Sequence, residues 1–116
     1  MKTFTRMAAQ GDFIIIRVNE IPANVVPMAT RGNQIVVAHS ETGHDHVMLA
    51  ERVDAFVPAG LDAKDVFELY LNVKEPTEIN HLRSFDTHET LLVPPGNYQV
   101  RRQREYVPEG FRRAAD

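Results

Sequence analysis

The chain contains no cysteine and no tryptophan. Without cysteine there is no disulfide framework, no cysteine-ligated zinc site and no iron–sulfur cluster. The absence fits a reducing compartment. Long apolar runs are also missing. The clearest one, Phe13-Ile14-Ile15-Ile16, is bracketed by Asp12 and Arg17, too short for a signal-peptide core or a membrane span. Charge of one sign is not in large excess: the formal net charge is −3, which argues against a bulk polyanion binder. There is no nucleophile elbow, no phosphate-binding glycine loop and no His-Glu-x-x-His. Ser40 and Ser84 are the only serines, and Ser40 beside His39 and Glu41 is sequence adjacency, not a triad.

What is present is a series of short β-type segments. The 116 residues suit a single domain spanning 1–116, with 1–12 and 109–116 expected to be loosely ordered. Phe13–Val18 and Gln34–Ala38 are β-branched apolar runs that predict buried strands. His44–Val53 reads as one strand with two usable faces. Val66–Lys74 alternates, with Phe67, Leu69, Leu71 and Val73 on one side. Thr77–Leu82, Glu89–Val93 and Asn97–Tyr106 complete the set, separated by Gly, Pro, Asn and Asp turns. No segment keeps a helical period for more than two turns. The pattern predicts an all-β fold, a small barrel or sandwich of about seven or eight strands.

Five histidines occur, His39, His44, His46, His81 and His88, and the first three fall within eight residues. On a strand His44 and His46 share a face, with Cα atoms roughly 6.5 Å apart. Two imidazoles at that separation can converge on one ion at about 2.0–2.1 Å each. A third ligand must come from elsewhere: His88, Glu51, His81, His39 and Glu41 are the candidates, with His88 ranked first among the distant histidines. The expected cofactor is a divalent transition metal (Zn, Fe, Mn or Ni). The competing reading is a set of solvated or hydrogen-bonded histidines.

Two resemblances follow from these residues. His44-Asp45-His46 followed by Glu51, with Pro94-Pro95-Gly96 followed by Gln99, resembles the two motifs of the cupin barrel. That resemblance implies a barrel with three of four metal-ligand positions kept and glutamine at the fourth. Ala38 and His88 stand where the cupin motifs open on glycine. Gly43-His44-Asp45-His46, His88, Pro94-Pro95-Gly96-Asn97-Tyr98-Gln99-Val100 and Gln103-Arg104-Glu105-Tyr106 resemble a family of small uncharacterised bacterial and phage proteins. This second resemblance implies that His44, His46 and His88 act as a set, and it brings a virion-associated location into view beside a cytoplasmic one.

Pro94-Pro95-Gly96-Asn97 predicts a tight type II turn, closing a hairpin that brings His88 level with Gln103–Glu105. Glu105 is then placed to orient a ligand histidine. From Asn97 onward five arginines (Arg101, Arg102, Arg104, Arg112, Arg113) face three acids. This reads as a solvated edge strand and tail, or as a contact strip using Arg102 and Arg104. Few aromatics accompany the arginines, so nucleic-acid binding is not expected. Two function classes remain. One is a metal-binding β-barrel, with or without catalysis, that has room for a small-molecule ligand. The other is a non-enzymatic phage or prophage structural or accessory protein, a homo-oligomer or part of an assembly, whose histidines form a structural site and whose Arg-rich C-terminal strand makes contacts. The sequence assigns no reaction.

Overall fold

The computed structural model describes residues 2–10, 13–39, 45–61, 67–81 and 90–102. Among these, eleven strands occur: β1 (Lys2–Thr3), β2 (Met7–Gln10), β3 (Phe13–Val18), β4 (Val25–Pro27), β5 (Gln34–His39), β6 (Asp45–Leu49), β7 (Val53–Pro58), β8 (Glu68–Val73), β9 (Thr77–His81), β10 (Leu91–Val93) and β11 (Gly96–Arg102). They form a first sheet in the order β1-β10-β9-β6-β5 and a second in the order β2-β3-β11-β8-β7-β4. Every pairing is antiparallel except β1 with β10. Each sheet keeps two edges, so the chain is an open two-sheet sandwich and not a closed barrel. No described helix is long and apolar enough to cross a membrane.

Alternation in the strands makes the core. Phe13 and Ile15, Leu69, Leu71 and Val73, Val53 and Ala55, and Tyr98 and Val100 project inward from the second sheet. Ile35, Val37, Met48, Ile79, Leu91 and Val93 meet them from the first. Burying a side chain of this kind is worth about 1.5–3 kcal/mol, and the two inner faces form one continuous cluster.

The structure departs from the sequence expectations in four places. Residues 2–3 and 7–10 are strands, and β2 lies along β3 with Met7 opposite Ile16. Strand β4 falls inside the proline-containing stretch 19–27 that reads as a loop. The single strand expected over 44–53 is broken by a 3-10 turn, Ala50–Arg52, so β6 and β7 lie in different sheets. Finally, Pro94-Pro95-Gly96 does not close a hairpin. β10 pairs with β9 in the first sheet, whereas β11 pairs with β3 and β8 in the second.

That crossover has its own anchor. Prolines carry no N–H, so the chain leaves the β10 ladder after Val93. Gly96 turns it with φ of 148°, a region that side-chain-bearing residues avoid. Any Cβ added at Gly96 would run into the Arg17 guanidinium. Tyr98, fully buried, donates its hydroxyl to the Pro94 carbonyl at 2.7 Å, a tie from a tyrosine back to upstream backbone like that of the tyrosine corner in other sandwiches. Arg17 closes the arrangement. Its Nε donates to Thr5 O (2.9 Å), Nη1 to Pro95 O (3.2 Å) and Nη2 to the Tyr98 hydroxyl (2.8 Å). The guanidinium carbon lies 4.9 Å from the centre of the Tyr98 ring, within cation–π range. Phe4 meets the same ring edge-on at 5.7 Å.

Candidate functional site

Strand β6 carries the histidine segment into the middle of the first sheet, between β5 and β9. Its register sets Asp45 opposite His39, and His46 between Ala38 of β5 and His81 of β9. His46 is 0 % exposed. It shares the inward parity of Met48, as period-2 alternation requires. Its imidazole meets the Phe13 ring edge-on at 5.1 Å. Asp45 accepts from Arg31 Nη1 at 2.7 Å, a contact from the turn at Arg31–Gln34 that pins the start of β6.

The Phe13 contact shows which end of the sandwich this is. The start of β3 meets the start of β6. Arg102, at the end of β11, reaches the end of β5. Arg102 N also donates to Phe67 O at 2.7 Å, just before β8. The described strand ends at Gln10, Phe13, His39, Asp45, Glu68, His81 and Arg102 therefore lie on this one side.

Not all predicted site residues converge here. His44, His88, Glu41, Arg104 and Glu105 lie outside the described residues. Glu51 is exposed in the 3-10 turn at the far end of β6. Gln99, the fourth position implied by the cupin resemblance, is on the outer face of the second sheet. Its Nε2 donates to Glu68 Oε2 (3.3 Å) and the Tyr70 hydroxyl (3.2 Å), and its Oε1 accepts from Arg101 Nε (2.9 Å). The inward His46 and the outward Gln99 face different surroundings, so a cupin-type ligand set is not assembled by these residues. Among the described residues no group of three or more His, Asp or Glu could hold a metal ion.

The hairpin that was to lift His88 beside Gln103–Glu105 is absent, so that route to a third ligand falls away. Arg102 also changes role. β11 is an interior strand of its sheet, not an edge. Arg101 faces solvent, whereas Arg102 turns between the sheets. Its Nε donates to Val37 O and its Nη2 to Val36 O, both at 2.9 Å. Burial lowers the pKa of this guanidinium from its usual value. The carbonyls it takes belong to a bulge: Val36 pairs with Val47 and Ala38 with His46, which leaves Val37 as the extra residue.

Sequence reasoning passed over Arg17. Nothing in the pattern Phe13–Val18 distinguishes it from a charge ending an apolar strand. Only the contact with Tyr98, itself part of the Pro-Pro-Gly-x-Tyr segment, gives it significance.

No curated protein and no solved structure matches the chain. A family model, a domain of unknown function designated DUF8820, matches residues 9–103. That span runs from β2 to just beyond β11 and takes in both sheets, and the chain belongs to the DUF8820 family.

Proposed function

We propose that this domain binds a divalent transition metal (Zn, Fe, Mn or Ni) at the histidine-bearing end of the sandwich, with His44, His46 and His88 as ligands. The observation that supports this is the position of His46. It is a fully buried imidazole at the start of a central strand, with His81 at the opposing register position. It lies where the segments carrying His44 and His88 join the sheet. Neutral imidazole nitrogen suits Zn, Fe and Ni, whereas Mn favours oxygen ligands beside it. An open coordination position would let the ion activate water; a closed four-ligand site would be structural.

The full chain, loaded with Zn²⁺ or Ni²⁺ and desalted, is expected to retain about one ion per chain by elemental analysis. It should also melt higher than the chelator-treated protein, since an ion at about 100 times its Kd stabilises the folded state by roughly 2.7 kcal/mol. The double variant His44→Ala/His88→Ala leaves the described core untouched and is expected to fold but not to hold metal. A stoichiometry far below one, with a melting temperature indifferent to chelator, rejects the reading.

A second reading, a protein that works by assembly, is favoured by one surface. On the outer face of the second sheet Met7 is 57 % exposed and Ile14 39 %. Met7 is paired with Ile16, and Ile14 with Ala9. Large side chains gathered in this way mark contact surfaces more often than isolated ones do. Light scattering on the purified chain is expected to give a dimer or larger species that Ile14→Lys dissociates. A strictly monomeric wild type at high concentration removes this reading.

A further inference from the structure

A concave site lies at the opposite end of the sandwich, independent of the histidines. It has a volume of about 370 Å³ and is lined by Arg6, Arg17, Val18 and Asn19. The Arg17 N–H donates to Arg6 O at 2.7 Å, which holds the two arginine backbones side by side. Both residues are exposed. Among the described residues neither has a carboxylate within ion-pair distance; the ion pairs there join Arg31 to Asp45 and Lys74 to Asp54. In a chain whose net charge is −3, two arginines that line one pocket and have no ion-pair partner among the described residues form a local positive site.

Arg17 is also held in place. A guanidinium has five N–H donors. Thr5 O, Pro95 O and the Tyr98 hydroxyl take three of them, leaving one donor on each terminal nitrogen. The Tyr98 ring beneath and the absent side chain at Gly96 keep the group in one position. A planar, preorganised guanidinium recognises oxyanions with two parallel donors and loses little entropy in doing so. Arg6 supplies a second charge in the lining of the same pocket.

We propose that the Arg6–Arg17 pocket is an anion site for a phosphate group. Inorganic phosphate is the probe. In a ¹H–¹⁵N titration of the full chain at low ionic strength, phosphate is expected to give saturable shifts of the Arg6 and Asn19 amides and of the Arg17 Nε–H. Chloride at matched ionic strength should leave these signals in place. Arg6→Gln makes the clean variant, because the Arg6 side chain has no hydrogen bond among the described residues. Its apparent Kd should rise at least about tenfold, the factor that corresponds to 1.4 kcal/mol, with the rest of the spectrum unchanged. Arg17→Lys keeps the charge but loses the fork, and it should weaken binding even if the fold is retained. Shifts that follow ionic strength alone, or an Arg6→Gln titration identical to wild type, overturn the proposal.

Discussion

Replacing Tyr98 with alanine is expected to lower stability by about 3–5 kcal/mol, the usual cost of emptying a large aromatic site in a core. Tyr98 is 0 % exposed, and three groups depend on it: the Pro94 carbonyl, the Arg17 guanidinium and the Phe4 ring. Loss of the ring removes the surface against which Arg17 and the first strands are ordered, so the crossover between sheets loses its fastening as well as its packing. A domain of this size is stable by about 5–15 kcal/mol in all, and the change should be visible as a fall of roughly 2–4 M in the urea midpoint. Tyr98→Phe separates packing from hydrogen bonding. It keeps the ring and should cost only about 1–2 kcal/mol.

The phenylalanine variant also carries a pH signature. Burial raises the Tyr98 pKa above its ordinary value of 10.0, and Arg17 pulls partly against that rise through its charge and its hydrogen bond. The unfolded chain then releases the phenolic proton at lower pH than the folded one. The stabilisation is present below pH 10 and is lost as pH rises through the folded-state value. Wild type is therefore expected to weaken above pH 10 more steeply than Tyr98→Phe. Parallel pH profiles, or a Tyr98→Ala variant within about 1 kcal/mol of wild type, would show that the crossover is held by something else.

Strand existence was legible in the sequence wherever alternation or β-branching was strong. Phe13–Val18 appears with the bounds expected of it, the expectations over 34–38 and 66–74 differ only at their ends, and 77–82 is strand as far as the described residues run, to His81. Sheet membership was not legible. Pro94-Pro95-Gly96 announces a change of direction, but nothing local says whether the next strand returns beside its predecessor or crosses to the other sheet; the partner strands decide that. The same limit explains β11. An Arg-rich strand reads as solvated, yet Arg102 turns inward because it shares the parity of buried Tyr98 and Val100 in an interior strand. A continuous pattern over 44–53 hid the turn at Ala50–Arg52, because Ala-Glu-Arg suits a 3-10 turn as well as a strand. For the candidate site, the inward parity shared by His46 and Met48 could be read from spacing. Its neighbours Phe13, Ala38 and His81 could not, because they come from strands distant in sequence.

Removing the Arg102 guanidinium while keeping most of its stem, as in Arg102→Met, is expected to cost about 2–4 kcal/mol. Leaving a buried acceptor without its donor costs roughly 1–3 kcal/mol, and bonds from charged donors are the stronger ones. Here two acceptors lose their partner, Val36 O and Val37 O. Ile35, Val37 and Ala38 are all buried, which simple alternation cannot achieve along one strand. The bulge achieves it by inserting Val37 between Val36 and Ala38, and the carbonyls of Val36 and Val37 lie at that bulge. Arg102 takes both, and in doing so ties the outermost strand of the first sheet to an interior strand of the second. The loss should therefore be local as well as global. Hydrogen exchange of the β5 amides is expected to accelerate more than that of β8, which lies in the other sheet with partners on both sides. Arg102→Lys keeps the charge but lacks the rigid fork of the guanidinium and should fall between methionine and wild type. An Arg102→Met protein within about 0.5 kcal/mol of wild type, with β5 and β8 exchanging as before, would mean that the bulge is held by its own packing and not by the arginine.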